Sequence, residues 1–419
     1  RYKIYNSQKV HLRKVYISRF FVGNESCLNK SKLNRNKKGL TYNVEELKIT
    51  TSKASNKRIL WIDLTRAVGM LLIIWGHSLM NPNDWLGSMI FAVNVPIFFV
   101  LSGYLYHSQT LKKQIYKLFY NLIIPYISTS LLMWLVSVIL YLFKLRETMI
   151  GLKTMLKMTF FAIGTPINLI DSKIYMPAIG AIWFLVALFW ASIIFNLIMK
   201  NVLKLKYGFW VGGGIFLILL FFGFGLTKGG VLPWSLNAAL IGTFFLWFGN
   251  LMRRVNIFEL GKAKLSFISA ICSIIWIISG FYNRFWLNIA YADNKVIAVV
   301  AACCASVVLM LTCHFIEKIC SEKETNTLRI IATYGKDSLV VLCVHIIDLN
   351  VLMSANYIQK MLIGATPNFL ITMVVIICHV LITLIFLPIF KKGPVLRNIY
   401  FNRDNPFSYQ LEFYKKYIS

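Results

Sequence analysis

Charged residues are scarce in this chain of 419 residues, and acidic residues are scarcer than basic ones. Asp, Glu, Lys and Arg make up 15% of it, against about 25% of a typical soluble domain, and hydrophobic residues make up 58%. The mean hydropathy is +0.64. This composition excludes an ordinary soluble globular protein and indicates a chain that lies largely in a membrane.

The short motifs of several large enzyme classes are also absent. The sequence has no Walker loop, no Rossmann glycine fingerprint, no serine nucleophile elbow and no His/Cys cluster with metal-ligand spacing. Seven of the eight cysteines lie in or beside apolar segments, which is typical of small buried hydrophobic residues. We therefore expect neither a metal site nor a tightly bound cofactor.

Apolar runs near twenty residues recur along the chain, and a helix of that length crosses roughly 30 Å of hydrocarbon. These runs predict an all-α integral-membrane bundle of about ten transmembrane helices. The predicted spans are 59–80, 86–106, 118–143, 179–199, 208–227, 234–251, 265–281, 295–316, 334–355 and 367–390.

The net charge of +29 is distributed as in a membrane protein rather than a nucleic-acid-binding protein. Fifteen of the 45 basic residues precede the first span, nineteen more fall on the same predicted side, and nine fall on the other. Lys and Arg accumulate on the cytoplasmic side of membranes. Both termini are therefore predicted to be cytoplasmic, in a multi-pass protein of the bacterial inner membrane that binds lipid but no nucleic acid.

The same pattern divides the chain into three parts. Residues 1–57 are basic and aperiodic, and we interpret them as a disordered cytoplasmic tail or a non-native extension. Residues 58–390 form the transmembrane domain, and residues 391–419 form a short basic cytoplasmic tail. The long connection 144–178 is expected to be the main extracytoplasmic structure, with a helix near 152–159 lying on the membrane.

Three polar side chains, Asp63, Arg66 and His77, interrupt the first span. At 100° per residue, Arg66 and His77 lie within about 20° of each other around the helix axis, and Asp63 and His77 within about 40°. An ionised group near the centre of a membrane helix costs roughly 2.5–3.5 kcal/mol on insertion. A shared stripe therefore favours a functional site over the alternative, a satisfied Asp63–Arg66 ion pair with an interfacial histidine.

The three residue types suit an acyl transfer to a carbohydrate hydroxyl. An imidazole with a pKa of about 6.5 can take the proton from a hydroxyl group, so His77 is predicted to be a base or a transient acyl carrier. Arg66 lies about 16 Å away along a straight helix and could bind an anionic donor or polarise a carbonyl group, with Asp63 orienting its guanidinium.

Further motifs follow the first span in a fixed order along the chain. They are a proline, double-aromatic and Ser-Gly-Tyr run within Asn94–Tyr104, the segment Ile182–Leu185, and Tyr334–Leu339 leading to His345. Together with Arg66 and His77, an arginine and a histidine separated by ten residues, these motifs resemble the signature of the acyltransferase 3 family of integral-membrane acyltransferases.

This resemblance implies a ten-helix core, a cytoplasmic acyl-CoA donor such as acetyl-CoA, and a carbohydrate acceptor that is lipid-linked or on the cell surface. The fucose 4-O-acetylase-like branch is the most similar. Members of the family commonly carry arginines after the second span, where this chain has Lys112, Lys113 and Lys117. These lysines are predicted to bind the donor phosphates as point charges. Some members have a histidine where this chain has Asn94.

Ser102, His345, Asn94 and Trp183 are candidate supporting residues. Ser102 beside Gly103 is more typical of helix packing than of a nucleophile. His345 is expected either to have a functional role or to form an interhelical hydrogen bond. Trp183 is more typical of an interfacial or packing aromatic residue. His314 and His379 are expected near the cytoplasmic ends of their spans in packing or interface roles, and His107 at the interface.

Two other functions remain open from the residues alone. Intramembrane Asp, Arg and His also form proton or substrate paths in transporters, including flippases of lipid-linked sugars. The chain could also be a non-catalytic partner in polysaccharide export. The sequence does not identify the acceptor sugar, the acyl group or the oligomeric state.

The charge pattern generates a topology prediction. Reporter fusions should place residues 107–117, 200–207 and 252–264 in the cytoplasm and residues 144–178 outside it, because the basic residues concentrate in the first three segments. A cytoplasmic signal from a fusion within 144–178 would contradict both the orientation and the number of spans.

Overall fold

The computed structural model describes residues 59–168, 175–227, 232–320 and 326–402. The predicted N-terminal tail, residues 1–57, and the part of the predicted C-terminal tail after Asn402 lie outside the described residues. The beginning of that C-terminal tail is helical, since it contains the end of the last long helix and a short helix after it.

The described residues are overwhelmingly helical, and we number the α-helices in chain order. They are α1 Leu60–Ser78, α2 Trp85–Phe91, α3 Pro96–Tyr104, α4 Leu111–Leu118, α5 Ile124–Leu142, α6 Leu152–Phe161, α7 Trp183–Val202, α8 Gly208–Leu226, α9 Leu236–Arg254, α10 Lys262–Tyr282, α11 Lys295–Cys320, α12 Asn326–Lys336, α13 Ser338–Ile347, α14 Ser354–Leu362, α15 Asn368–Lys392 and α16 Pro394–Arg397.

Within the described ranges, nine helical segments are long and apolar enough to cross a membrane. Two of these segments join shorter helices, α2 with α3 and α4 with α5. The pair α12 and α13 supplies a tenth span if it is counted as one helix bent by 68°. This arrangement confirms the predicted all-α membrane bundle of about ten helices.

Two of the predicted spans are less regular than a single apolar run suggests. The second is broken at residues 92–95, and α3 then starts at Pro96, which lacks an N–H group and suits the first turn of a helix. The third starts earlier, at Leu111, and passes through a π-helical turn over Phe119–Ile123. The turn lies directly before Pro125, whose missing N–H and ring would disturb a regular α-helix there.

Two very short hairpins lie between the helices. Strand β1 Ile167–Asn168 pairs antiparallel with β2 Tyr175–Met176, in the connection between α6 and α7. Strand β3 Phe285–Trp286 pairs antiparallel with β4 Tyr291–Ala292, in the connection between α10 and α11. Helix α6 confirms the helix expected near 152–159.

Glycine residues allow the central helices to approach one another closely. A Cβ atom on Gly103 of α3 would lie 1.9 Å from the carbonyl oxygen of Leu246 of α9, and one on Gly249 of α9 would lie 1.9 Å from that of Val100. A Cβ on Gly335 of α12 would lie 1.8 Å from the carbonyl oxygen of Asp63. Helices α3 and α9 therefore pack backbone to backbone, as α12 does with α1.

The bend between α12 and α13 is held by an ion pair. Asp337 occupies the single position between the two helices and is buried. The Lys391 Nζ atom at the end of α15 lies 2.6 Å from its Oδ2 atom. The bend directs α13 across the bundle toward the end of α1 that carries His77.

We predict that Gly249→Ala destabilises the protein by about 1–3 kcal/mol or more, because the added methyl group would overlap a backbone atom that cannot rotate away. Thermal unfolding of the detergent-solubilised protein measures this effect. Gly214→Ala in α8 is the matched control, since a Cβ atom there meets nothing within 4 Å. Equal unfolding temperatures for the two variants would contradict the proposed close packing.

Candidate functional site

A cavity of about 540 Å³ opens at the C-terminal end of α1. Its walls come from the ends of α1 and α2, the break before α3, the connections before α7 and between α10 and α11, and the turn after α13. The charge pattern predicts that these ends are extracytoplasmic. The volume lies within the range of about 300–1,000 Å³ that is usual for small-molecule sites.

His77 and Asn94 contribute polar groups to the inner wall of the cavity. His77 lies one residue before the end of α1, and its side chain is exposed to the cavity. Asn94 lies in the break before α3 and also lines the cavity. The irregular backbone before Pro96 thus places an amide in the wall of the cavity that His77 also lines.

Aromatic side chains form the next part of the wall. The ring of Phe91 lies 6.4 Å from that of His77, and the Trp286 ring stacks on Phe91 at a centroid distance of 4.8 Å. Trp183, at the start of α7, lines the same cavity. Gly164 lies against Trp183, and a Cβ atom there would come within 2.4 Å of the indole ring. The glycine therefore lets the connection before β1 pack tightly over the tryptophan.

Two further amides face the cavity, and each is held by a hydrogen bond. Asn350 donates from Nδ2 to the carbonyl oxygen of Ile179 at 3.1 Å, and Asn288 donates from Nδ2 to the hydroxyl of Thr165. Together with Asn94 these amides give the wall both donors and acceptors. Planar amides beside aromatic faces are suited to a ligand that carries hydroxyl groups on an apolar ring.

The hairpin that carries Trp286 and Asn288 is closed at its base by an exposed ion pair. Arg284 donates from Nη2 and Nε to the two carboxylate oxygens of Asp293, at 2.9 and 3.0 Å. Tyr291 also donates to Asp293, at 2.6 Å. The hydrogen bonds from Arg284 hold the pKa of Asp293 below its usual range, so these contacts strengthen the hairpin at neutral pH.

Behind His77, two more histidines and a carboxylate extend into the protein. The rings of His77 and His345 are 5.7 Å apart, and those of His345 and His379 are 4.8 Å apart. His379 Nδ1 lies 2.6 Å from Asp348 Oδ2, to which the Ser354 hydroxyl donates at 2.8 Å. His345, Asp348 and His379 are each at most 1% exposed. Within the described ranges these groups are not arranged as a set of metal ligands.

The opposite end of α1 holds the other two residues of the predicted stripe. Arg66 Nη1 lies 3.1 Å from Asp63 Oδ1, which confirms that the two side chains pair. Asp63 is buried and Arg66 is partly exposed. Because α1 is continuous from Leu60 to Ser78, the ion pair and His77 remain about 16 Å apart along one helix.

The remaining candidates lie away from the cavity. Lys112, Lys113 and Lys117 are exposed on α4. Nearby, desolvation and the Arg253 guanidinium hold the pKa of His107 below its usual range. The Ser102 hydroxyl donates to the carbonyl oxygen of Phe98 at 2.7 Å, the contact expected of a serine that is satisfied within its own helix.

The structure thus brings His77, Asn94, Trp183 and His345 together and leaves Asp63 and Arg66, Ser102 and the three lysines elsewhere. His379 was predicted near the cytoplasmic end of its span, and this position is wrong. The residue lies midway along α15 and packs against His345. Asp348 was missed altogether. The signal that could have found it is an acidic residue three positions after His345, in an otherwise apolar segment.

Comparison with known proteins identifies the family of the chain. A family model described as an acyltransferase domain, that of the acyltransferase 3 family, matches residues 59–387. No curated protein and no solved structure matches the chain. The match covers α1 through most of α15 and includes the cavity and both ends of α1. The chain is therefore a multi-pass membrane protein that belongs to the acyltransferase 3 family, whose members are acyltransferases.

Proposed function

We propose that this acyltransferase moves an acetyl group from a cytoplasmic acyl-CoA donor to a hydroxyl group of a lipid-linked or surface carbohydrate, in the bacterial inner membrane. The observation that carries the proposal is that His77 opens into a cavity lined by Trp183, Trp286 and three asparagines. Aromatic faces stack on the apolar face of a sugar ring, and amides bind its hydroxyl groups. Membership of the family supplies the acyl transfer itself.

In the proposed reaction, His77 takes the proton of the acceptor hydroxyl as its oxygen attacks the carbonyl carbon of the donor. The oxygen–acyl bond forms, the sulfur–acyl bond breaks, and the His77 imidazolium gives its proton to the leaving thiolate, which becomes the free thiol. A general base that is correctly placed contributes about 10²- to 10⁴-fold to such a step. The alternative, in which His77 itself carries the acyl group for part of the cycle, uses the same residue and cavity.

Arg66 and Asp63 are proposed to act on the donor from the other end of α1. The guanidinium, oriented by its 3.1 Å ion pair with Asp63, can bind an anionic group or polarise a carbonyl oxygen. Lys112, Lys113 and Lys117 are exposed on α4, which the charge pattern predicts to be cytoplasmic. Donor and acceptor would therefore reach the protein from opposite faces of the membrane.

The proposal predicts that purified protein with acetyl-CoA and an acceptor glycan releases free thiol and esterifies a sugar hydroxyl. His77→Ala should reduce turnover by at least about 100-fold, because the base is removed. Arg66→Lys should also lose most activity, because an ammonium group cannot reproduce the planar arrangement of N–H donors of a guanidinium. Thiol titration and mass spectrometry of the glycan measure both products.

The control for these variants is protein abundance in the membrane, which should stay near that of the unchanged protein. Substrate movement across vesicles without thiol release, in the presence of donor, would instead favour a transporter. Full turnover by the His77 variant would remove this residue from the mechanism.

A second prediction concerns the lysines of α4. Replacing Lys112, Lys113 and Lys117 together by Gln should raise the KM for acetyl-CoA and leave kcat nearly unchanged, because the charges would bind donor and transition state equally. The effect should weaken at high salt, since exposed charges are screened.

The matched control replaces three exposed lysines of other connections, Lys153, Lys157 and Lys360, by Gln. This triple variant removes the same charge from segments that are predicted to be extracytoplasmic. An equal rise in the KM for donor in both triple variants would show a general charge effect and no donor site on α4.

A further inference from the structure

The histidine cluster consists of His77, His345 and His379 and ends at the carboxylate of Asp348. This carboxylate determines which nitrogen of each ring donates a hydrogen bond. We assign the proton of the 2.6 Å contact to His379 Nδ1, because a carboxylate accepts hydrogen bonds and an imidazole N–H donates them. The Ser354 hydroxyl donates to the same carboxylate oxygen at 2.8 Å. In neutral His379 the other nitrogen, Nε2, is then an acceptor.

His379 Nε2 is buried, and the ring of His379 lies against the imidazole of His345. Neither His379 Nε2 nor either ring nitrogen of His345 has a hydrogen-bond partner among the described residues. The ring of His345 lies between those of His379 and His77, at 4.8 and 5.7 Å. Two imidazoles joined by an N–H···N hydrogen bond have centroids roughly 5 to 5.5 Å apart, so small rotations would connect the three rings.

We propose that Asp348, acting through His379 and His345, holds His77 in the tautomer that presents a lone pair to the cavity. His379 donates to Asp348, His345 donates to His379, and His77 donates to His345. The remaining nitrogen of His77 is then unprotonated and faces the acceptor hydroxyl. Asp348, His379 and His345 are positioning residues in this scheme, which rests on the proposed function of His77 as the base.

The same chain stabilises the charge that appears during the reaction. When His77 takes the hydroxyl proton it becomes an imidazolium, and it can shift its second proton toward His345. The positive charge then spreads toward the Asp348 carboxylate. In serine proteases a buried carboxylate behind the catalytic imidazole holds its tautomer and stabilises the imidazolium, and its replacement by Asn costs about 10⁴-fold in turnover.

Two further groups, one charged and one titratable, lie beside the cluster in the part of the chain that the structure describes. Arg146, in the segment after α5, donates to the carbonyl oxygen of Val351 at 3.1 Å and lies beside the turn that carries Asp348. Cys378 of α15 lies beside Ser354 and Asp348. Both are present in every variant proposed below.

The test compares kcat, KM and the pH profile of acyl transfer for the unchanged protein and for Asp348→Asn. Asparagine keeps the size of the side chain and an oxygen acceptor but removes the charge. We expect kcat to fall at least about tenfold, with the KM values of donor and acceptor within about twofold. The acidic limb of the kcat profile should move to lower pH, because the imidazolium loses the carboxylate that stabilises it.

His379→Gln is the second variant, for the case in which Asp348→Asn does not yield folded protein, and the same changes are expected of it. His314→Gln is the matched control. Like those of His345, the ring nitrogens of His314 have no hydrogen-bond partner among the described residues. His314 is only partly buried, however, and packs against Trp61 and Phe258 near the start of α1. Replacement of His314 should not change the pH of the acidic limb of the kcat profile.

Three results would overturn the proposal in distinguishable ways. If the protein without substitutions neither releases thiol nor acylates the glycan, the proposed function is wrong, and the positioning scheme is wrong with it. An active protein whose Asp348 and His379 variants keep kcat and the acidic limb would overturn the scheme alone. A fall in kcat with an unmoved limb would show that these residues only support the fold.

Discussion

Polar groups in α1 must be enclosed by protein, because exposing them to hydrocarbon costs several kcal/mol each. The bundle meets this constraint differently at the two ends of the helix. Near the start, Asp63 pairs with Arg66 while α12 packs on its backbone at Gly335. Near the end, His77 is surrounded by a cavity and backed by His345. The position of α1 among its neighbours therefore determines where polar chemistry can take place.

The cavity exists because connections, rather than helices, meet at the end of α1. The break before α3, the hairpin after α10 and the turn after α13 each contribute a side chain to its wall. Irregular backbone is tolerated at membrane depth where it lines a polar cavity or is covered by protein. The irregular segments of the second span and of the α12–α13 pair are consistent with this rule, and both carry residues of the site.

Much of the fold could be predicted from the sequence, since apolar runs and charge asymmetry report directly on membrane spans. His77 could be predicted because three polar residues recur on one helix face, a pattern contained within one element. Asp348 and His379 could not be, because they are 31 positions apart and on separate elements, and only the packing of α13 against α15 brings them together. The break at residues 92–95 was also missed, since hydropathy does not distinguish a bent apolar segment from a straight one.

The Asp348–His379 pair is difficult to explain by stability alone. Removing two polar groups from water costs several kcal/mol, and well-packed apolar residues of similar volume are often at least as stable as a buried ion pair. The two residues are at most 1% exposed, and two nitrogens of His345 and one of His379 have no partner among the described residues. A bundle that needed only packing at this point would be served better by leucine and phenylalanine. The free-energy cost of burying Asp348 and His379 is understandable if they act on His77. A buried carboxylate can control the tautomer of that imidazole and stabilise its positive charge.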